Sequence, residues 1–455
     1  MIFTDKNILI VGSGISGMGA LKALSTVQAR CTVFDGNDKL TKEDIAKKFP
    51  EGCSAQICIG TLAEEVLHTL DMAVVSPGVP IDIPLLDTLR EHQIPIIGEI
   101  ELGYQLAKGH IIAITGTNGK TTTTTLVGQM MQDYFESVFV VGNIGNPYTL
   151  EALKTTDDTV TVAEISSFQL ETVEEFCPEV SAILNVTPDH LNRHYTMENY
   201  AGTKEKITKG QTKAQYCILN YENEYTRDFG LNRCPATVVF FSSKRVLEEG
   251  IYCQGDTIYL AKDGQHQPLM NIHTDMNLVG TCNVENVMAA LGIGLSFGVP
   301  LESLLRTIKG FKAVEHRIEF VDTKGGVDYY NDSKGTNPDA AIQGILAMSK
   351  PTVLIGGGYD KQNEYDEWIE SFEGKVKKLV LIGQTREKIA ECAKKHGFTD
   401  YCFADTFEEA MQICVDTAKA GEAVLLSPAC ASWGMFPNYE VRGQMFKDYV
   451  KAIEE

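Results

Sequence analysis

The 455-residue chain is short of several things, and each shortage removes a class of function. No stretch approaches the ~20 consecutive apolar residues that a bilayer-spanning helix needs, so no membrane insertion is expected. The amino-terminal end enters an apolar strand almost at once, with no basic segment leading into an apolar one. The sequence therefore predicts no secretion signal and a cytoplasmic location. Positive charge is scarce: 40 Lys and Arg stand against 61 Asp and Glu, a net charge of −21. With no basic patch to offset it, that balance argues against a nucleic-acid partner, whose phosphates it would repel. The twelve cysteines and nine histidines are scattered, without a CxxC pair. A zinc knuckle or a redox dithiol is thereby disfavoured, and in a cytosolic chain such thiols are expected to be reduced core residues. Internal repeats and low-complexity linkers are also missing.

What remains is an ordinary globular composition, 44% hydrophobic and 22% charged. The length suggests three domains at the usual ~150 residues each. Helix and strand patterns alternate through all three segments, predicting an α/β protein. Its boundaries are placed at 1–98, 99–313 and 314–455.

The most informative run is Ile111-Ile112-Ala113-Ile114-Thr115-Gly116-Thr117-Asn118-Gly119-Lys120-Thr121-Thr122. An apolar strand leads into a glycine turn and then a helix that opens on a lysine and a hydroxyl residue. That is the layout of a phosphate-binding loop: backbone N–H groups and the positive helix end face the oxygens, Lys120 adds a point charge, and Thr121 can hold Mg²⁺. The long form GxxxxGK(S/T) would need glycine at position 114, where isoleucine stands, so this is the shorter TGxxGKT form. Five consecutive threonines, Thr121 to Thr125, are mediocre helix formers, which points to a reason other than propensity for their presence.

The first segment carries a second glycine loop. Strand Asn7–Val11 precedes Gly12-Ser13-Gly14-Ile15-Ser16-Gly17, a helix follows, and a second strand ends at Asp35, 18 positions beyond Gly17. Read alone, this GxGxxG unit predicts a dinucleotide site. It is equally readable as a nucleotide-type fold whose glycines serve tight helix–strand packing. A later strand, Met72–Val75, ends in the stiff loop Ser76-Pro77-Gly78-Val79-Pro80, at the sheet edge where open α/β folds bind ligands.

Strands after the phosphate loop end in polar clusters: Gly142-Asn143-Ile144-Gly145, Glu164-Ile165-Ser166-Ser167, and Thr187-Pro188-Asp189-His190. Glu164 is placed for a Mg²⁺ carboxylate, the other reading being a surface turn. His190 reads as structural or as a metal or phosphate contact. Lys204 reads by composition as solvated, no different from Lys206 and Lys209. Ala214–Thr281 reads as an antiparallel extension. In the third segment Asp332-Ser333-Lys334 and Lys361 fall at strand ends.

Seven motifs in order, TGTNGKTT, GNIGNP, EISSFQL, NVTPDHLNRH, EHRIE, NDSKGTNPDA and LSPACASWGMFPNYEVRG, resemble the Mur ligases of peptidoglycan synthesis across nearly the whole chain. The early GSGISGMG with Asp35, the SPGVP loop and the closing motif resemble the D-glutamate-adding branch. The resemblance implies a Rossmann-like first domain, a central P-loop ATPase-type domain and a Rossmann-like third domain. It also implies ATP-driven amide formation on UDP-N-acetylmuramoyl-L-alanine through an acyl phosphate, with two Mg²⁺ sites and a monomer working on small-molecule substrates alone. By the match, Gly116, Thr117, Asn118, Gly119, Lys120, Thr121 and Thr122 would serve the phosphates of ATP, and Asn283, Asn286, Arg317 and Asp332 the rest of the nucleotide. Thr121, Glu164, His190 and Lys204, the last as a carbamate, would hold metal. Ile15, Ser16, Asp35, Gly36, Asn37, Gly78 and Asn143 would cradle the UDP substrate. Lys334, Thr336, Lys361, Ser432 and Tyr439 would take D-glutamate, with Lys120, Glu164, His190, Lys204 and Lys334 catalytic.

The chain departs from the family pattern in places. Asn37 lacks the positive charge some members carry, Gly434 and Asn192 stand where acidic residues are common, and Gly335 stands where alanine is frequent. Another Mur-type ligase with a different amino-acid specificity, or a folate-type polyglutamate ligase, is the nearest alternative. A nucleotide-gated switch that makes no bond, and an NAD-dependent oxidoreductase read from the first glycine loop alone, are the more distant ones.

Overall fold

The computed structural model describes residues 3–453. Three sheets follow one another along the chain, each built on a run of apolar strands. The first holds β1 (Asn7–Val11), β2 (Arg30–Asp35), β3 (Gln56–Ile59), β4 (Met72–Val75) and β5 (Ile96–Gly98) in the order β3-β2-β1-β4-β5. Its pairs are parallel. β1 is flanked by β2 and β4, so the chain leaves it in opposite directions and a crevice opens at the carboxyl ends of β1 and β4. The two glycine- and proline-rich loops of the sequence leave the sheet at that crevice. Between β1 and β2 runs the helix Ile15–Thr26, where Gly17 has no room for a side chain: a Cβ there would come within 2.0 Å of the Gly12 carbonyl oxygen.

The second sheet contains β6 (His110–Thr115), β7 (Val138–Gly142), β8 (Val160–Glu164), β9 (Val180–Ile183), β10 (Tyr216–Asn220), β11 (Thr237–Ser242), β12 (Gly250–Gln254), β13 (Thr257–Lys262) and β14 (Gln265–Asn271). Their order is β14-β13-β12-β11-β10-β9-β6-β8-β7. β6 lies between β8 and β9, so the loops after all three leave the same sheet edge side by side. The expected antiparallel extension over 214–281 is corrected in part. β10–β11 and β11–β12 are parallel, and antiparallel pairing begins only at β12–β13. The helix Glu224–Asn232 connects β10 to β11, and a helical crossover returns the chain in the same direction.

The third sheet holds β15 (Glu319–Lys324), β16 (Val327–Asn331), β17 (Thr352–Gly358), β18 (Val376–Gly383), β19 (Tyr401–Phe403) and β20 (Ala423–Leu426), ordered β15-β16-β20-β17-β18-β19. β15 and β16 form an antiparallel hairpin, and the rest of the sheet is parallel. Its two faces are covered by separate apolar clusters, one centred on Trp368 and one on Phe446.

By packing, the described chain divides into two units. One runs to Met270 and takes in Val287–Ile308; the other comprises Asn271–Asn286 and the chain from Lys309 onward. No helix among the described residues is long and apolar enough to cross a membrane.

Candidate functional site

In the first unit the loop after β6 is held open by its own backbone. Gly116 and Gly119 have φ of 152° and 85°, a region that side chains rarely adopt. Asn185, just beyond β9, fixes the loop from outside: its carbonyl accepts from Thr117 N at 3.0 Å and its side-chain oxygen from Asn118 N at 2.8 Å. The Thr117 hydroxyl bonds the Thr187 carbonyl at 3.2 Å and lies 3.2 Å from the Tyr200 hydroxyl. Lys120 opens the helix Lys120–Gln132, and its Nζ folds back to the carbonyls of Gly116 and Thr117, both at 2.8 Å. Arriving phosphate oxygens would draw that ammonium off two neutral carbonyls, a favourable exchange for a cation. Thr121 and Thr122 follow in the first helical turn, and Thr122, Thr123 and Thr124 are buried.

Glu164 is no surface turn. It is the last residue of β8, 2% exposed, and its Oε1 accepts from Asn143 Nδ2 at 2.8 Å. Its Oε2 has no hydrogen-bond partner among the described residues. A buried, unsatisfied carboxylate oxygen is costly and is kept where a cation or ligand completes it. His190 stands half exposed with φ 54° and ψ 28°, an unusual backbone for a side chain of its size. Its Nε2 is 3.5 Å from Asp189, and its ring lies 4.9 Å from that of Phe168. The unpartnered Glu164 oxygen and the Thr121 hydroxyl are hard oxygen donors of the kind Mg²⁺ takes, and the His190 imidazole stands on the neighbouring loop as a nitrogen donor.

Lys204 overturns the reading from composition. It is 1% exposed, its Nζ donates to the Gly116 carbonyl at 3.0 Å, and it lies 4.5 Å from the centre of the Tyr200 ring. Loss of hydration, then the charge of Lys120, hold its pKa well below the ordinary lysine range, with Asp189 opposing. Its neighbours differ: Lys206 donates to the Glu171 carbonyl and Lys209 pairs with Glu174. The helix Met197–Glu205 turns Lys204 inward onto the phosphate loop, and that contact joins residues 88 apart in sequence.

A cavity of about 920 Å³ joins these groups to the first sheet. Among its walls are Ile15, Ser16, Asp35, Gly36, Asn37 and Gly78 on one side, and Lys120, Asn143, His190 and Lys204 on the other. Asp35 braces the first glycine loop, accepting from Ser13 N at 3.1 Å, from the Ser13 hydroxyl and from Asn37 N at 3.0 Å. Partial burial opposes its ionisation, but those hydrogen bonds outweigh it and hold its pKa below the usual value. Ile15 is 78% exposed at the cavity, an uncommon position for an apolar side chain.

In the second unit Asp332, Lys334, Lys361 and Ser432 follow the carboxyl ends of β16, β17 and β20. Asp332 is fully buried, accepts from Ser427 Oγ at 2.8 Å and faces Arg317 at 3.8 Å. Burial raises its pKa to about 6 against the pull of Arg317. Lys334 Nζ lies 5.6 Å from the Tyr439 ring, and Lys361 Nζ 5.3 Å from the ring of Trp433. Ser432 is buried, and Thr336 follows in the same turn as Lys334, its N–H bonded to the Lys334 carbonyl. Asn283 and Asn286 are buried in this unit, Asn286 Nδ2 donating to Asn283 Oδ1 at 3.2 Å.

Three residues that serve these sites were not singled out from the sequence, although Asn185 and Arg442 lie within the quoted motifs. Tyr200 and Asn185 are contacts to the phosphate loop from distant positions. Arg442, 0% exposed, donates to the Ser333 carbonyl at 2.7 Å and to Cys430 O at 3.2 Å, tying two of the ligand-edge loops together. Its place in the closing RG pattern is the hint the sequence offers for it.

Comparison with known proteins agrees along the whole chain. Residues 6–98 match the model described as the MurD-like N-terminal domain, 114–294 the Mur ligase middle domain, and 316–430 the Mur ligase glutamate ligase domain. The chain belongs to the Mur ligase family. Its relatives include the UDP-N-acetylmuramoylalanine–D-glutamate ligase of Lachnospira eligens, 56% identical over 453 residues with all of both chains covered. The ligase of the same name from Lachnoclostridium phytofermentans is 52% identical, again over all of both chains. Among solved structures, the UDP-N-acetylmuramate-alanine ligase of Thermotoga maritima shares the Mur ligase fold at a TM-score of 0.60 and 17% identity, with 98% of this chain and 99% of that one covered.

Proposed function

We propose that this Mur ligase joins D-glutamate to UDP-N-acetylmuramoyl-L-alanine at the expense of ATP, as a cytoplasmic monomer dividing near residues 98 and 313. The observation that carries the reading is the single cavity running from the Ser13–Ser16 loop to Lys120, His190 and Lys204. At about 920 Å³, with walls from both the first sheet and the phosphate loop, it has room for a nucleotide-linked substrate anchored at the first sheet with its far end at the phosphate loop.

The substrate carboxylate attacks the γ-phosphorus of ATP, giving an acyl phosphate and ADP. The amine of D-glutamate then adds to the acyl carbon, and the tetrahedral adduct expels phosphate as the amine proton is lost. Two anions meet in the first step, so the protein's task is alignment and charge neutralisation. Asn185 takes the N–H groups of Thr117 and Asn118, so the phosphates would be met by the first turn of the helix that Lys120 opens, and Lys120 leaves its carbonyl partners to meet them. Thr121, Glu164 and His190 would hold Mg²⁺, which when bound supplies positive charge beside the phosphoryl oxygens. Burial and the charge of Lys120 lower the Lys204 pKa and so favour the free amine that CO₂ needs to form a carbamate with loss of one proton, and the carbamate would join those donors. Asn143 positions Glu164. Ile15, Ser16, Asp35, Gly36, Asn37 and Gly78 line the end that takes the uridine diphosphate. Asn283, Asn286, Arg317 and Asp332 would contact the nucleotide, and Lys334, Thr336, Lys361, Ser432 and Tyr439 the D-glutamate carboxylates.

The test is phosphate release from ATP and Mg²⁺ in the presence of UDP-N-acetylmuramoyl-L-alanine, with D-glutamate, L-glutamate, L-lysine or nothing added. Release with D-glutamate alone, and a product heavier by one glutamyl residue, is the expected result. Release with another amino acid would overturn the specificity, and no release with any would overturn the reaction.

A further inference from the structure

Away from the sites described, two helices of the second unit place three unlike metal-binding side chains together. Asp366 opens the helix Asp366–Glu370, and Cys392 lies one turn before His396, just past the helix Arg386–Lys395. One ligand atom from each of the three lies within 4.8 Å of the others, and none of the three residues is fully exposed. We propose that Asp366, Cys392 and His396 form a binding site for a divalent cation of zinc type, clamping the two helices together.

The donor set selects the class. A thiolate, an imidazole and one carboxylate suit borderline-soft Zn²⁺ or Co²⁺ and are wrong for Mg²⁺, which prefers oxygen alone. The i and i+4 spacing of Cys392 and His396 puts both on one helical face. His396 is already oriented. Its Nε2 is 2.8 Å from Asp366 Oδ1, on the side of the cluster, while its Nδ1 lies 3.3 Å from Glu370 Oε1. A carboxylate on the far ring nitrogen is how metal-bound histidines are commonly fixed in tautomer and angle. Tetrahedral bonds to N, O and S place donors about 3.3–3.6 Å apart, so small side-chain rotations close the cluster around an ion.

Without metal the cluster satisfies itself by hydrogen bonds. Burial and then the Asp366 carboxylate push the Cys392 thiol up to about 11, and the thiol is hydrogen-bonded to that carboxylate. Lys395 Nζ also sits 2.5 Å from Asp366 Oδ1, but its side chain is 70% exposed and can swing into solvent. Binding would exchange the thiol proton for the cation, releasing one proton to solvent, and leave a fourth position for water. Nothing in the proposed ligase chemistry uses these residues, so the role is structural.

The experiment uses the full-length chain stripped with EDTA and kept reduced, titrated with Co²⁺ alone. One equivalent should give thiolate-to-cobalt charge-transfer absorption that Zn²⁺ then bleaches. The active-site donors include no thiolate and cannot produce that band. C392S should abolish it while keeping phosphate release, and D366N and H396A should each weaken binding; E370Q should weaken it about 10–100-fold. Absence of the band in the unmodified chain, or its persistence in C392S, would overturn the proposal. Should C392S fail to fold, unchanged Co²⁺ affinity in both D366N and H396A would do the same.

Discussion

Replacing Lys204 with alanine separates a chemical role from a packing role. The side chain is 1% exposed and bonds the Gly116 carbonyl, in the loop that would hold the phosphates. Truncation removes three methylenes and the amine. Lost burial of three methylenes costs about 2.4 kcal/mol. Against this, the variant no longer has to strip water from an amine on folding, so the net change in stability should stay small. Activity should respond far more. If the carbamate completes the charge arrangement around the transferring phosphoryl group, its loss should lower kcat by roughly 10²–10³, about 2.7–4 kcal/mol in the transition state. The vacated space opens onto the cavity, so a short carboxylate can enter it and restore an anionic oxygen. The assay is phosphate release by K204A in chloride, then with formate or acetate replacing chloride at constant ionic strength, alongside urea unfolding. Partial recovery with the carboxylates, and none with chloride, is expected. Full activity in chloride, or a loss matched by a collapsed urea midpoint, would refute the reasoning.

Three further outcomes follow from the same geometry. Y200F removes the hydroxyl 3.2 Å from Thr117 and should raise the KM for ATP by a few-fold with little change in unfolding midpoint, since one neutral hydrogen bond contributes about 0.5–1.5 kcal/mol. R442M would leave the Ser333 and Cys430 carbonyls without their buried donor and should destabilise the second unit by about 1–3 kcal/mol for each carbonyl, read as a lower urea midpoint. Asp332 is protonated more readily in the folded state, at about 6 against 3.8, so its contribution is complete below 3.8 and is lost as pH rises through about 6. Stability of the unmodified chain relative to D332N should therefore fall by on the order of 3 kcal/mol between pH 4 and 7 and level off above, and a flat difference would refute it.

Much of the architecture was legible because its signals are local. Four apolar residues ending at a glycine turn, repeated through the chain, describe buried parallel strands with loops at one edge, and β1, β4 and β6 are found where that pattern put them. Local pattern misled at 214–281, where short strands and turns read as antiparallel. The direction of β11 is set by the helical crossover from β10, and β12 then pairs parallel to β11. The residues proposed for the site were largely nameable from motifs, whereas their states were not. Glu164 read as well for a turn as for a metal ligand until its burial and its unpartnered oxygen were known. Lys204, Lys206 and Lys209 are indistinguishable by composition.

The sequence by itself determined the order of the elements, the two glycine loops that need positive φ or close approach, the charge that disfavours nucleic acid, and the motifs that mark a Mur ligase. These depend on neighbouring residues and on residue type alone. Only the tertiary structure decided which lysine loses its water, that Glu164 keeps an oxygen with no hydrogen-bond partner among the described residues, and which tyrosine, asparagine and arginine brace the loops. The same holds for the meeting of Asp366 with Cys392 and His396. Desolvation and hydrogen-bond satisfaction are properties of what packs around a group. For Lys204 that surrounding is the Gly116 carbonyl, 88 residues away in the chain.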